Sequence, residues 1–86
     1  MYRLEFLPLA QKEFKRLDKI AQIKIKKKLL ILTENPDVLR NNIKALKGQY
    51  SGLFRLRVAD YRVIFRVKDE QVLIIIVRIG HRKNVY

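Results

Sequence analysis

The stretch FRLRVADYRVIFRV, residues 54–67, decides the fold because apolar and basic residues alternate on both sides of the short break Ala59-Asp60. Side chains of a strand point alternately to the two faces of a sheet, so the pattern predicts two strands with one apolar and one basic face. If Ala59 and Asp60 form a two-residue hairpin loop, Arg57 lies directly opposite Arg62. Facing like charges destabilise a sheet unless an anion relieves them, which favours a phosphate-binding surface.

The basic residues of this hairpin are arginines, whose planar guanidinium groups fit two phosphate oxygens at once. Arg55 and Arg57 share one face of the first strand, and Arg62 and Arg66 share one face of the second. In the alternative interpretation each arginine lies along the sheet with its head group in water. That interpretation suffices for a single arginine, whereas a facing pair favours the anion site. Arg78 joins this surface only if the following turn has three residues, since a shift of one residue changes its face, so its position stays open.

The sequence around the hairpin predicts the element order β-α-α-β-β-β. Residues 2–7, YRLEFL, alternate like a strand, and apolar stripes of helical spacing follow in residues 8–17 and 18–35. Residues 37–49 form a polar connection, and the apolar run 72–79 is predicted as a central strand covered on both faces. Helices separated from hairpins in this way are typical of an α+β fold. We therefore expect a twisted, antiparallel-rich sheet with two N-terminal helices on one face.

The composition has a strong charge bias, with 20 Lys and Arg against eight Asp and Glu, or a net charge of +12 over 86 residues. We expect a single domain, 1–86. Its field attracts polyanions such as nucleic acid, an acidic protein or an anionic membrane, while the bland alternative is a solvated basic surface. The absence of cysteine excludes disulfides, a thiolate nucleophile and a cysteine-based metal site. The N-terminus lacks a signal-peptide core and the longest apolar run is too short to cross a bilayer, so a cytoplasmic location is expected.

Two residues near the end of the chain are candidates for proton transfer. His81 is the only histidine, and histidine ionises near neutral pH. Tyr86 is a poor base unless neighbouring arginines favour its anion. The structural alternatives are an ordinary polar loop residue for His81 and simple packing for Tyr86.

The segment LKGQYSGLFRLRVADYRV, residues 46–63, followed by an apolar strand and the motifs GHR (80–82) and VY (85–86), resembles the RelE/ParE family of bacterial and archaeal toxins. The resemblance implies a metal-free, cofactor-free toxin of a type II toxin–antitoxin system. RelE-like members cleave messenger RNA in the ribosomal A site, and ParE-like members poison DNA gyrase on the same scaffold.

The resemblance also implies catalytic residues by position. Arg62, the arginine of YR, and Arg82, the arginine of GHR, would stabilise developing charge. Tyr86 would act as the base, and His81 or a network of arginines as the acid. Leu53 occupies a position at which family members often carry lysine, so the identity of the base stays open.

Basic residues on the hairpin, the second helix and the polar connection are predicted to bind RNA, namely Arg55, Arg57, Lys24, Lys27, Lys28, Lys44 and Lys47. The implied partners are a cognate antitoxin, the ribosome with its messenger, and operator DNA contacted through the antitoxin complex, with no membrane partner. The alternatives are a ParE-like gyrase inhibitor and a non-enzymatic basic nucleic-acid-binding domain.

Overall fold

The computed structural model describes residues 1–83, which begin with one strand and two helices. Strand β1 spans Arg3–Phe6, helix α1 spans Pro8–Arg16 and helix α2 spans Lys19–Glu34. Pro8 suits the first turn of α1, where no backbone N–H is needed. Asp18 caps α2, because its carboxylate accepts a hydrogen bond from the N–H of Ala21 at 2.8 Å. None of the helices within this part of the chain is long and apolar enough to cross a bilayer.

The second half of the described chain supplies four further strands, which are β2 (Ile43–Ala45), β3 (Phe54–Val58), β4 (Tyr61–Lys68) and β5 (Leu73–His81). Short 3-10 turns lie at Pro36–Asn42, Gly48–Tyr50 and Asp69–Gln71. Strand β2 corrects the prediction for residues 37–49, which described a polar connection and included no strand. A strand of three residues is too short to display an alternating pattern, so its pairing with β3 decides its conformation.

The five strands form one mixed sheet in the order β1-β5-β4-β3-β2. Strand β5 lies between β1, to which it is parallel, and β4, to which it is antiparallel. This arrangement confirms the central position predicted for the apolar C-terminal strand. It also supplies the partner of β1, which the sequence left open. The α+β fold is confirmed, with β1 and β2 at the two edges of the sheet.

Both helices pack on one face of the sheet, as the sequence predicted. Their apolar residues join those of the strands in a single cluster: Ala10, Ile25, Leu29, Leu32, Leu39, Leu56, Val58, Val63, Phe65, Ile74, Ile76 and Ile79. Ile25 of α2 and Ile76 of β5 are fully buried there. Each such side chain contributes roughly 1.5–3 kcal/mol to folding. We call this side of the sheet the core face.

Candidate functional site

The β3–β4 hairpin has the register that its sequence predicts. Ala59 and Asp60 form a two-residue loop, and Arg57 pairs directly with Arg62 on the adjacent strand. Ala59 has a φ of +53°, in the left-handed region that tight hairpin loops require. The prediction that two arginines face each other across this hairpin is therefore confirmed.

Basic side chains cross the sheet in rows on the side opposite the core face. One row runs over four strands through Lys44, Arg55, Ile64 and Arg78. The next row contains the Arg57–Arg62 pair and ends at Gly80. We call this side of the sheet the arginine face. Its basic residues are Lys44, Arg55, Arg57, Arg62, Arg66 and Arg78, and the register adds Arg3 and Lys68 towards the end of the sheet at Leu73.

Arg78 reaches the arginine face through a β-bulge. The turn from β4 to β5 contains residues 69–72, one residue more than the sequence-based condition required. With regular pairing that turn would direct Arg78 to the core face. The register instead shifts between Ile64 and Phe65, which leaves Val77 without an opposite residue and sets Arg78 opposite Ile64. The predicted condition was wrong, and the bulge supplies the extra residue that changes the face.

Glu13 of α1 holds Arg78 at the margin of the arginine face. The shortest of their hydrogen bonds runs from Nη2 to Oε2 at 2.9 Å, and Oε1 accepts the backbone N–H of Ile79 at 2.9 Å. Strand β1 ends at Phe6, so among the described residues α1 rather than a strand borders this part of β5. The hydrogen bond to Glu13 is the main cause that raises the pKa of Arg78 above its usual value. Glu13 thus closes an exposed strand edge and neutralises one arginine.

Arg62 and Arg82 meet at the β3–β4 loop. Nη1 of Arg62 donates to the carbonyl oxygens of Tyr61 at 3.0 Å and Ala59 at 3.3 Å. The backbone N–H of Arg82 donates to the carbonyl of Asp60 at 2.8 Å. Three consecutive carbonyl groups therefore bind the side chain of Arg62 and the backbone of Arg82, the two arginines that the family resemblance implies are catalytic. These hydrogen bonds hold the guanidinium group of Arg62 against the β3–β4 loop.

The arginines differ in how firmly the sheet holds them. Arg57 and Arg66 are exposed, whereas Arg55 and Arg62 are half-buried. The Nε atom of Arg55 has no contact with solvent. Half-buried arginines on paired strands lose little further freedom on binding, so they are suited to fix a phosphate in position.

His81 lies apart from these arginines. It pairs with Tyr61 on the core face, and the two rings meet edge-on with centroids 5.9 Å apart. Its Nδ1 accepts the N–H of Lys83 at 3.4 Å. Side chains alternate between the two faces of a strand, so His81, three residues after Arg78, lies on the opposite face from it. The sequence alone does not give this result, because the face of Arg78 depends on the bulge. Tyr86 lies outside the described residues 1–83, so its proposed role stays a prediction.

The predicted RNA-binding lysines lie on more than one surface. Lys44 belongs to the arginine face, next to Arg55. Lys24, Lys27 and Lys28 project from α2, which packs on the core face and so lies on the other side of the sheet. Lys47 is exposed in the loop between β2 and β3. The structure thus adds one of these lysines to the arginine face and separates the helical lysines from it.

Sequence reasoning missed Glu13. It is the only acidic residue of α1, whose other charged residues are basic, and this isolation is the one signal in the sequence. No local pattern connects position 13 with position 78, because only the folded sheet brings them together.

Comparison with known proteins agrees with this geometry. Residues 4–86 match the family model of the ParE toxin of type II toxin-antitoxin systems, parDE. The chain is 33% identical to a RelE-like toxin protein of Escherichia coli and 30% identical to the mRNA interferase toxin RelE of strain K12, over 83 residues each. Both alignments cover 96% of this chain and 85% of the relative.

A solved structure extends the likeness from sequence to fold. A chain of the intact E. coli RelBE toxin-antitoxin complex superposes with a TM-score of 0.76 and 30% identity, covering 94% of this chain and 96% of that chain. The order of helices and strands, the basic hairpin and these alignments agree. The chain therefore belongs to the RelE/ParE superfamily of toxins from type II toxin–antitoxin systems.

Proposed function

We propose that the protein is a ribosome-dependent endoribonuclease that cleaves messenger RNA and is neutralised by a cognate antitoxin. The observation that carries the proposal is the pairing of Arg57 with Arg62 on adjacent strands, within a face of further basic residues. A phosphate bound between the two guanidinium groups relieves their repulsion. The relationship to the mRNA interferase toxin RelE supports RNA as the source of that phosphate.

The reaction needs only groups that a protein chain can supply. The 2′-oxygen of one nucleotide attacks the adjacent phosphorus, and the bond from phosphorus to the 5′-oxygen breaks. A base takes the proton of the 2′-hydroxyl, an acid protonates the leaving 5′-oxygen, and the product ends in a 2′,3′-cyclic phosphate. Cations stabilise the extra negative charge on the phosphate as the attack proceeds. This electrostatic stabilisation is commonly the largest contribution to the rate enhancement.

In this proposal Arg62 and Arg82 stabilise the charged phosphate, and their shared attachment to the β3–β4 loop supports a joint action. Tyr86 acts as the base. His81 is a weaker candidate for the acid than the sequence suggested, because it pairs with Tyr61 on the core face. An arginine-rich hydrogen-bond network is then the remaining candidate for the acid.

The remaining basic residues bind flanking RNA. Arg55, Arg57 and Lys44 share the arginine face and would hold phosphates next to the cleaved bond. The lysines of α2, together with Lys47, would contact ribosomal RNA through a salt-sensitive phosphate interaction. The ribosome would position the messenger, and positioning alone can account for a large part of the rate enhancement.

The antitoxin in this proposal is partly acidic and orders as it wraps around the toxin. Solved relatives support such a partner, since the E. coli RelBE structure is a toxin-antitoxin complex. The toxin–antitoxin complex would bind operator DNA mainly through the antitoxin. The site of action is the cytoplasm, where translating ribosomes are found.

The proposal is tested with purified toxin, ribosomes programmed with a defined messenger, and mapping of the 5′ ends that appear. We expect cuts within codons for the wild type, and a loss of about 100-fold or more in rate for Arg82→Ala, in line with the loss of a charge-stabilising donor. Tyr86→Phe should be similarly impaired, while His81→Asn should retain most activity. Cleavage of naked RNA without ribosomes would contradict the ribosome-dependent step, and unimpaired Arg82→Ala would remove that arginine from catalysis.

A ParE-like inhibitor of DNA gyrase is the second candidate, because the matching family model is that of the ParE toxin. Inhibition of supercoiling by the purified protein, with no cuts in translated messengers, would favour it. Salt-dependent RNA binding without cleavage or gyrase inhibition would instead identify a non-enzymatic nucleic-acid-binding domain.

A further inference from the structure

The loop between β2 and β3 presents an aromatic residue beside the arginine face. The N–H of Leu46 donates to the carbonyl of Leu53 at 3.0 Å and closes the base of the loop. Gly48 has a φ of +67° and Gly52 a φ of +93°, so the chain turns sharply on either side of Tyr50. The backbone of Tyr50 is hydrogen-bonded within the loop, which gives this exposed segment a defined shape.

Two observations indicate that the loop of Tyr50 reaches over the sheet. The loop begins at β2, an edge strand, whereas Arg78 belongs to β5, three strands away. Even so, the pKa of Arg78 is raised, mainly by its hydrogen bond to Glu13 and by the charge of that carboxylate, and least by Tyr50, whose phenol lies within electrostatic range. Ile64, which lies between Arg55 and Arg78, is only 3% exposed although neither α-helix packs on its face. A loop that extends across β3 and β4 accounts for both observations.

Tyr50 nevertheless keeps 38% of its surface exposed. An accessible aromatic ring among phosphate-binding cations is the combination that proteins use for single-stranded nucleic acid, in which the cations follow the backbone and the ring stacks on a base. Ring stacking tolerates every base because each has a π-face. The simpler role of Tyr50 is to cover Ile64, and an aliphatic residue would serve that role equally well.

We propose that Tyr50 stacks on a base of the single-stranded RNA that the arginine face binds, and so positions the nucleotide next to the bound phosphates. This inference rests on the proposed function for its choice of RNA as ligand. Tyr50 is then a positioning residue that contacts the substrate through its ring, with no part in proton transfer.

A tryptophan reporter tests the contact directly, because the chain contains no tryptophan. Tyr50→Trp is titrated with a short single-stranded RNA that carries 2′-O-methyl groups and so is not cleaved. We expect the RNA to quench the indole fluorescence of this variant in a saturable way, since a stacked base quenches an indole. The quenching should depend on RNA concentration in the same way as binding measured by the anisotropy of labelled RNA. Val38→Trp is the control reporter, because Val38 is 64% exposed in the turn before β2, away from the arginine face. It should show no such quenching.

Two further variants separate stacking from coverage of Ile64. Tyr50→Phe keeps the ring and should bind the oligonucleotide within about twofold of the wild type. Tyr50→Leu keeps an apolar cover and should bind roughly tenfold more weakly, with unchanged salt dependence. Arg57→Ala should instead reduce the slope of affinity against salt by about one phosphate contact. Urea unfolding of all variants checks that each is folded.

The outcomes distinguish this inference from the proposed function. Equal affinity of Tyr50→Leu and wild type, binding without quenching in the Tyr50→Trp variant, or no oligonucleotide binding at low salt would each overturn the role of Tyr50. Stacking without any ribosome-dependent cleavage would uphold Tyr50 as an RNA contact while the endoribonuclease proposal fails. Cleavage with no effect of Tyr50→Leu on affinity would leave the endoribonuclease proposal intact and reject the stacking contact.

Discussion

Glu13 on α1 and Arg78 on β5 are joined by three hydrogen bonds of 2.9–3.2 Å, although 65 residues separate them in the chain. The same carboxylate also accepts the N–H of Ile79, so one side chain serves both an arginine and a strand edge. The Glu13 side chain is only 19% exposed, which shields these bonds from water. This junction attaches α1 to the sheet where β1 ends.

We expect Glu13→Ala to lower the free energy of unfolding by about 2 kcal/mol, because it removes hydrogen bonds to a charged group and leaves the N–H of Ile79 without its acceptor. Glu13→Gln should cost less, since its amide oxygen still accepts from Ile79. Urea unfolding followed by circular dichroism measures both. Glu70→Ala, at an exposed carboxylate, is the matched control and should change stability by less than about 0.5 kcal/mol. Equal losses for Ala and Gln would assign the whole effect to the ion pair.

Local patterns in the sequence predict the hairpin well and long-range features poorly. The Arg57–Arg62 pair follows from strand alternation and a two-residue loop, both of which are properties of adjacent residues. The parallel pairing of β1 with β5, the short strand β2 and the bulge at Val77 depend on contacts between distant segments. The same limit explains why the contact of Glu13 with Arg78 and the face on which His81 lies could not be predicted. The shared face of Arg55, Arg57 and Arg62 could be predicted, because it follows from local alternation.

Val72 is strained, because a β-branched residue lies in the left-handed region with φ +51° and ψ +48°. Its side chain is 45% exposed, so little packing is lost when it is removed. We expect Val72→Gly to raise the free energy of unfolding by up to about 1 kcal/mol. The substitution relieves the backbone strain, and part of this gain is offset because glycine loses more backbone entropy on folding. Thermal and urea unfolding measure the change. Val38→Gly, at an exposed valine in the turn before β2, should be neutral or destabilising, and stabilisation by both would refute the conformational explanation.

Tyr2 makes stability depend on pH in the alkaline range. Its hydroxyl donates to Oδ1 of Asp69 at 2.7 Å, and this hydrogen bond, followed by desolvation and the nearby carboxylate charge, raises the pKa of Tyr2. A group whose folded-state pKa is raised contributes its stability below the unfolded value of about 10 and loses it as the pH rises through the folded value.

We therefore expect the stability difference between wild type and Tyr2→Phe to be constant from about pH 7 to 9 and to shrink above about pH 10. Urea unfolding at a series of pH values measures this difference, and the subtraction removes the titration of the many lysines. Asp69→Asn should flatten the dependence because it keeps an acceptor without the charge. A difference that grows with rising pH would contradict the assigned hydrogen bond.

The facing pair Arg57–Arg62 should show a conflict between stability and activity. Like charges directly opposite on a sheet cost roughly 0.2–1 kcal/mol, so we expect Arg57→Thr, with a good strand-forming residue, to raise the free energy of unfolding by about 0.5 kcal/mol at low salt. High salt should diminish that gain by screening the repulsion. Messenger cleavage by Arg57→Thr should fall through weaker binding of flanking phosphate.

Inorganic phosphate tests the same pair without RNA. Added phosphate should raise the melting temperature of the wild type more than that of Arg57→Thr, because only the wild type offers both guanidinium groups. Lys68→Thr, on the same strand as Arg62 but opposite Leu73, is the matched control and should show no salt-dependent gain in stability. If Arg57→Thr were both less stable at low salt and fully active, the two arginines would neither repel each other nor bind phosphate.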